Sequence, residues 1–153
     1  MEQTAILRKF PLFDKLNNKE LEQIAGRLTE QNFKDGEKIC LRGKPGGNLY
    51  LIGQGTAAIT LPLYHYDQKQ EVVSYFGSGM FFGELSFFDG KPCSADVNAK
   101  GEVKLFVLSK DSYDTLILED PETGYDIQNK IILNLIRTIK KMNDKYSYNA
   151  FIH

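Results

Sequence analysis

One stretch of this chain gathers residues able to hold a small ligand: Phe82-Gly83-Glu84-Leu85-Ser86-Phe87-Phe88-Asp89-Gly90-Lys91-Pro92-Cys93-Ser94-Ala95-Asp96-Val97. Gly83 lets a ligand come close to the backbone. Glu84 through Phe88 suit a short helical turn whose N-terminal amides point outward and form an anion cradle. An ionised glutamate only accepts hydrogen bonds, so Glu84 is suited to grip a hydroxyl and not a phosphate. Pro92-Cys93-Ser94 then leads into a strand from which the Ser94 hydroxyl can reach the same cavity. The pattern asks for a ligand with an anionic group beside a free hydroxyl.

Other chemistries find fewer residues. Histidine occurs only at 65 and 153, whereas a cupin-like metal enzyme needs two or three clustered histidines with a carboxylate. No serine or cysteine stands beside a usable histidine in sequence, so nucleophilic catalysis lacks its base. An enzyme is not expected, and no metal or cofactor is required. Cys40 and Cys93 sit in no CxxC pair and build no disulfide framework. Cys93 has two readings: a redox-sensing thiol beside exposed amides, or a buried, inert filler. The aromatic cluster Phe81, Phe82, Phe87 and Phe88 reads first as core, and second as a platform for a purine.

The bulk properties agree with a single soluble domain. The 153 residues carry 19 Lys plus Arg against 20 Asp plus Glu, a formal charge of −1. A duplex-binding surface carries a cationic excess, so direct DNA binding is not expected. The N-terminus lacks the apolar segment of a signal peptide. No apolar run approaches the roughly 18 residues that cross a bilayer. A cytoplasmic location without membrane contact follows as the expectation.

Three zones must position the site. Residues 1–28 read as helical: Leu7, Phe10, Leu12, Phe13 and Leu16 are apolar, with Pro11 ending one short helix. Asn17 or Asn18 caps a second, along which Leu21, Ile24, Ala25 and Leu28 recur at helical spacing. Residues 29–109 change period. Apolar stretches at Lys38–Leu41, Leu49–Ile52, Thr56–Pro62, Glu71–Phe76, Ala95–Ala99 and Val103–Leu108 alternate with turn signals such as Gly53–Gly55, His65–Lys69 and Lys100-Gly101. Such spacing predicts a β-roll, a jelly-roll-like barrel of about eight antiparallel strands. Residues 110–147 return to helix. Ser109 caps a short one, Asp120-Pro121-Glu122 starts a long one, and the latter runs to about Lys145, roughly 35 Å. Ile127, Ile131, Leu135 and Met142 lie near one face of it, joined by Ile132, Ile136 and Ile139. The fold class is α+β: a β-roll flanked by N-terminal helices and one long C-terminal helix.

Residues 82–97 resemble the phosphate-binding cassette of the cyclic-nucleotide-binding domain family, which includes the bacterial catabolite activator, the regulatory subunit of cAMP-dependent protein kinase and cyclic-nucleotide-gated channels. Upstream, Gly43-Lys44-Pro45-Gly46-Gly47-Asn48-Leu49-Tyr50-Leu51-Ile52-Gly53-Gln54-Gly55 looks like the family's turn-and-strand signature. Leu12-Phe13-Asp14-Lys15-Leu16 looks like its N-terminal helical segment, and Leu105-Phe106-Val107-Leu108 like its last strand before the hinge. The resemblance covers almost the whole chain and implies a ligand, cAMP or cGMP. It gives Glu84 the ribose 2′-hydroxyl and turns the amides of Gly83, Glu84 and Leu85 and the hydroxyl of Ser94 toward the cyclic phosphate, with Phe82 and Cys93 counted to the same site. Asn134 or Thr138 of the long helix would approach the base. A stand-alone domain without a winged helix is expected.

The chain departs from the pattern at Cys93, where the family has the arginine that contacts the cyclic phosphate. Cysteine cannot make that charge-assisted contact. Lys91 or Arg42 is a substitute cation, and an acidic residue often found at Gly47 is also missing. Two functions stay open. One is a sensor that binds cAMP, cGMP or another anionic ligand and signals through its C-terminal helix. The other is a degenerate domain without nucleotide binding, acting as a protein-interaction or homodimerisation module through that helix.

Overall fold

The computed structural model describes residues 2–62 and 70–152. The turn expected at His65–Lys69 and both histidines lie outside the described residues.

The chain opens with α1 (Glu2–Leu7), a 3-10 helix at Pro11–Phe13 and α2 (Asn18–Ala25). Pro11 stands at the start of the 3-10 helix, where its missing N–H costs no bond, and α1 has already ended at Leu7. Asn17 caps α2 through a reciprocal pair: its side chain accepts from the Glu20 amide at 2.9 Å, and Glu20 accepts from the Asn17 amide at 3.2 Å.

Six antiparallel strands follow: β1 (Leu28–Phe33), β2 (Lys38–Cys40), β3 (Asn48–Pro62), β4 (Gln70–Phe76), β5 (Phe81–Phe82) and β6 (Asp96–Ser109). The order runs β1-β6-β3-β4, with β2 on β6 and β5 on β3. About eight strands were expected. The described residues hold six because two expected pairs each run on as one strand. In β3 the pairing with β6 shifts register between Ile52 and Thr56, so Gly53–Gly55 is a bulged stretch of strand and not a turn. Gly55 has φ +93°, and a Cβ there would stand 2.3 Å from the Glu102 carbonyl oxygen. Lys100-Gly101 likewise lies within β6. β1 and β5 occupy stretches that the sequence pattern does not mark as strands, and Leu28, expected on the second helix, opens β1.

The central strands bury both faces. Leu49 and Leu51 of β3, with Phe106 and Leu108 of β6, face a core shared with Leu7, Phe10, Phe13, Leu21, Tyr113, Ile127 and Ile131 of the helices. Their neighbours Ile52, Leu105 and Val107 turn the other way, into a core inside the roll with Cys40, Ala57, Phe82 and Val97. Alternation along a strand makes this division automatic.

Two helices close the chain. In α4 (Lys110–Glu119) the Ser109 side chain accepts from the Ser112 amide at 3.1 Å. α5 (Pro121–Ile152) begins at the expected proline and continues beyond Lys145. It buries Thr123, Ile127 and Ile131 and leaves Ile132, Leu133, Ile136, Ile139 and Met142 exposed.

Candidate functional site

α3 (Glu84–Asp89) is a helix of six residues set between β5 and the loop that leads into β6. Gly83 caps it in the left-handed conformation, φ +88°. A Cβ at that position would meet the Asn48 carbonyl oxygen at 2.6 Å, so strand β3 and the cassette approach too closely for any other residue. The first helical bond runs from the Phe87 amide to the Gly83 carbonyl at 3.1 Å. The amides ahead of it have no carbonyl inside the helix to bond. Glu84 folds its carboxylate back to accept from its own amide, and burial raises its pKa above the ordinary carboxylate value.

A cavity of about 200 Å³ opens at this point. It is lined by Phe82, Gly83, Glu84, Leu85, Cys93 and Ser94, joined by Cys40, Ile59, Ser74, Phe76, Ser86, Ala95 and Val97. All six residues singled out from the sequence thus border one space. It is smaller than the roughly 300–1,000 Å³ of drug-sized pockets. Phe82 is buried and stacks on Tyr50, centroids 4.9 Å apart and rings 13° from parallel, so it serves both the core and the cavity wall. Phe87 is core, while Phe88 is partly exposed.

Glu84 is the one charged residue among the described residues that line the cavity. Neither suggested substitute cation is among them. The Arg42 amide donates to the Asp96 carboxylate at 2.7 Å, and the Lys91 amide donates to Asp89 at 2.8 Å. Among the described residues, none of α5 lines the cavity either. Asn134 and Thr138 are exposed, with the Thr138 hydroxyl bonded to the Asn134 carbonyl at 3.0 Å. Sequence reasoning missed Ser74, whose inward position follows only from strand pairing. It also passed over Ser86, a buried hydroxyl inside the cassette segment itself.

The cassette is mechanically joined to the last helices. Phe87 packs edge-on against Tyr113 of α4 at 5.1 Å, and Phe88 does so at 6.2 Å. The Lys110 ammonium lies 5.2–5.5 Å from the centroids of all three rings, close enough for cation–π attraction. The buried Tyr113 hydroxyl donates to the Gly124 carbonyl of α5 at 2.9 Å. Burial pushes that phenol up to about 12.

The β-roll, the glycine-capped short helix at its cavity and the flanking helices define the class of fold. The family model "Cyclic nucleotide-binding domain" matches residues 30–120, and the chain belongs to that family. It is 35% identical over 113 residues to a cAMP-dependent protein kinase regulatory subunit of Emericella nidulans, an alignment covering 74% of this chain and 26% of that protein. The chain therefore spans about a quarter of that curated relative's length. A cyclic nucleotide-binding domain from Methylobacillus flagellatus superposes with TM-score 0.82 at 24% identity, covering 94% of this chain and 80% of the other. The regulatory domain of Toxoplasma gondii PKA, crystallised with cAMP, gives 0.71 at 25% identity, over 87% and 49%. Among the described residues no helix is long and apolar enough to cross a membrane.

Proposed function

We propose that this domain is a non-catalytic sensor whose cavity takes a ribose-bearing ligand, with cAMP and cGMP the foremost candidates. The observation that carries the reading is Glu84, an acceptor-only side chain held inside the cavity at the first turn of α3. A ribose diol offers it two hydroxyl donors. The remaining amides of the first turn of α3 and the Ser94 hydroxyl supply donors for the adjoining phosphate. Signalling follows the packing: a shift of α3 moves Phe87 and Phe88 against Tyr113, and Tyr113 is bonded to the start of α5. Without a cation in the cavity wall, affinity for a cyclic phosphate falls below that of an arginine-bearing cassette. Truncating one partner of a buried charge pair costs about 2–5 kcal/mol. Calorimetric titration of the purified chain with cAMP and cGMP tests the reading, and silence at millimolar ligand would sink it.

A second reading rests on a different observation: α5 exposes Ile132, Leu133, Ile136, Ile139 and Met142. An apolar face of that length suits a protein partner or a second copy of this chain. In that case the cavity is silent and the domain works as an interaction module. A Cys93→Arg variant that binds strongly where the wild type does not would favour it.

A further inference from the structure

The thiols of Cys40 and Cys93 are given no ligand contact in the proposed function, yet they share one place. Cys40 ends β2, and Cys93 lies in the loop between α3 and β6. Both line the cavity and both pack in the core of the roll, and the Cys93 thiol lies close enough to disfavour ionisation of Cys40. Their accessibility is unequal: Cys40 is 8% exposed, while Cys93 is only partly buried. The Cys93 backbone is anchored, its amide bonded to the Lys44 carbonyl and its carbonyl to the Gly43 amide, both at 2.9 Å. Its side chain lies outside any helix or strand, and its thiol donates only a long contact, 4.0 Å, to the Pro45 carbonyl, which a turn of the side chain gives up.

We propose that Cys40 and Cys93 form a reversible disulfide, a dithiol–disulfide switch in the wall of the cavity driven by small-molecule disulfides of the glutathione type. The accessible Cys93 acts first. Its thiolate attacks one sulfur of the glutathione disulfide, that S–S bond breaks, and one glutathione leaves with the electron pair and takes up a proton. Cys40 then loses its proton and attacks the Cys93 sulfur of the mixed disulfide, releasing the second glutathione. Two protein thiols are oxidised by two electrons, and one external disulfide is reduced to two thiols. Burial first, and Cys93 as a neighbour, push the Cys40 thiol up to about 12, while the Tyr50 hydroxyl bonded to it works the other way. Thiolate at Cys40 is scarce while both thiols are reduced, which leaves the first attack to Cys93. The bond needs the sulfurs drawn to about 2.05 Å, a movement that falls on the Cys93 side chain.

The test is equilibration of the folded, ligand-free chain in glutathione buffers of graded redox ratio, followed by intact-mass measurement and a non-reducing peptide map. The expected product is two hydrogens lighter than the dithiol, joins the Cys40 and Cys93 peptides, and reverts on reduction. Cys40→Ala is expected to stop at one glutathione on Cys93, and Cys93→Ala to leave Cys40 a free thiol. Wild-type protein that keeps both thiols in the most oxidising buffer overturns the proposal, as does one that ends as a stable Cys93 adduct. So does a bridge formed only in the urea-unfolded chain. The bridge needs no nucleotide, so its failure leaves the ligand reading standing.

Discussion

Glu84 is where the chemistry of the site is most exposed to test. Burial raises its carboxyl above the ordinary range, so the folded chain keeps a proton that the unfolded chain releases. The sign follows: this group favours the folded state most below the ordinary glutamate range, and the benefit is lost as pH rises through the raised folded value. Ligand binding has the opposite sign, because only the ionised carboxylate accepts two hydroxyl donors. Affinity should rise with pH over the same window. Glu84→Gln should flatten both dependences and weaken binding about 10–100-fold, taking about 1.5–3 kcal/mol for a hydrogen bond to a charged group; urea melts and titrations across the acid range measure the two. The cassette was readable as Phe82, Gly83, Glu84, Leu85, Cys93 and Ser94 because those residues lie close in sequence and the glycine and glutamate have few other uses together. Ser74 was not, since β4 contributes to the cavity only through its pairing with β3.

Helix ends were legible for the same local reason. Asn17, Ser109 and Pro121 act within three or four residues of themselves, and each sits where its side chain or ring predicts. Asn17→Ala should cost about 1 kcal/mol by breaking the capping box, read as a shifted denaturation midpoint with unchanged slope. The strands were harder. β1, Leu28-Thr29-Glu30-Gln31-Asn32-Phe33, has an exposed polar middle and no alternation, and it is a strand because β6 offers its edge. β5 is two residues long, held by Tyr50 and Leu51. The glycines at 53 and 55 look like a turn locally, yet the pairing with β6 carries β3 through them by a register shift. Long-range pairing decided each case, and no window of sequence contains it.

At the scale of the whole molecule, polar links among the described residues fasten the N-terminal segment to the C-terminal helices: Asp14 with Lys130, Glu20 with Thr123 and Arg27 with Glu119. They differ in kind. Both ion pairs involve an exposed carboxylate, and such pairs contribute little. Thr123 is 1% exposed, and its hydroxyl stands 2.7 Å from both Glu20 and Asp120, with one proton to share between them. Thr123→Val should cost about 1–3 kcal/mol by stranding those acceptors, whereas Lys130→Ala should leave the melting curve nearly unchanged. This joint, together with Tyr113 and Gly124, is what a movement of α3 must work against for the cavity to reach α5. All of it matters to function only where the cavity takes a ligand. The most direct measurement is calorimetry of cAMP and cGMP against the wild type, Glu84→Gln and Cys93→Arg. The account predicts saturable heat for the wild type, binding about 10–100-fold weaker in Glu84→Gln, and tightening in Cys93→Arg by about 30-fold to several thousand-fold. Silence in the wild type with strong binding in Cys93→Arg would contradict it, because the cavity would then be sound in shape and unused.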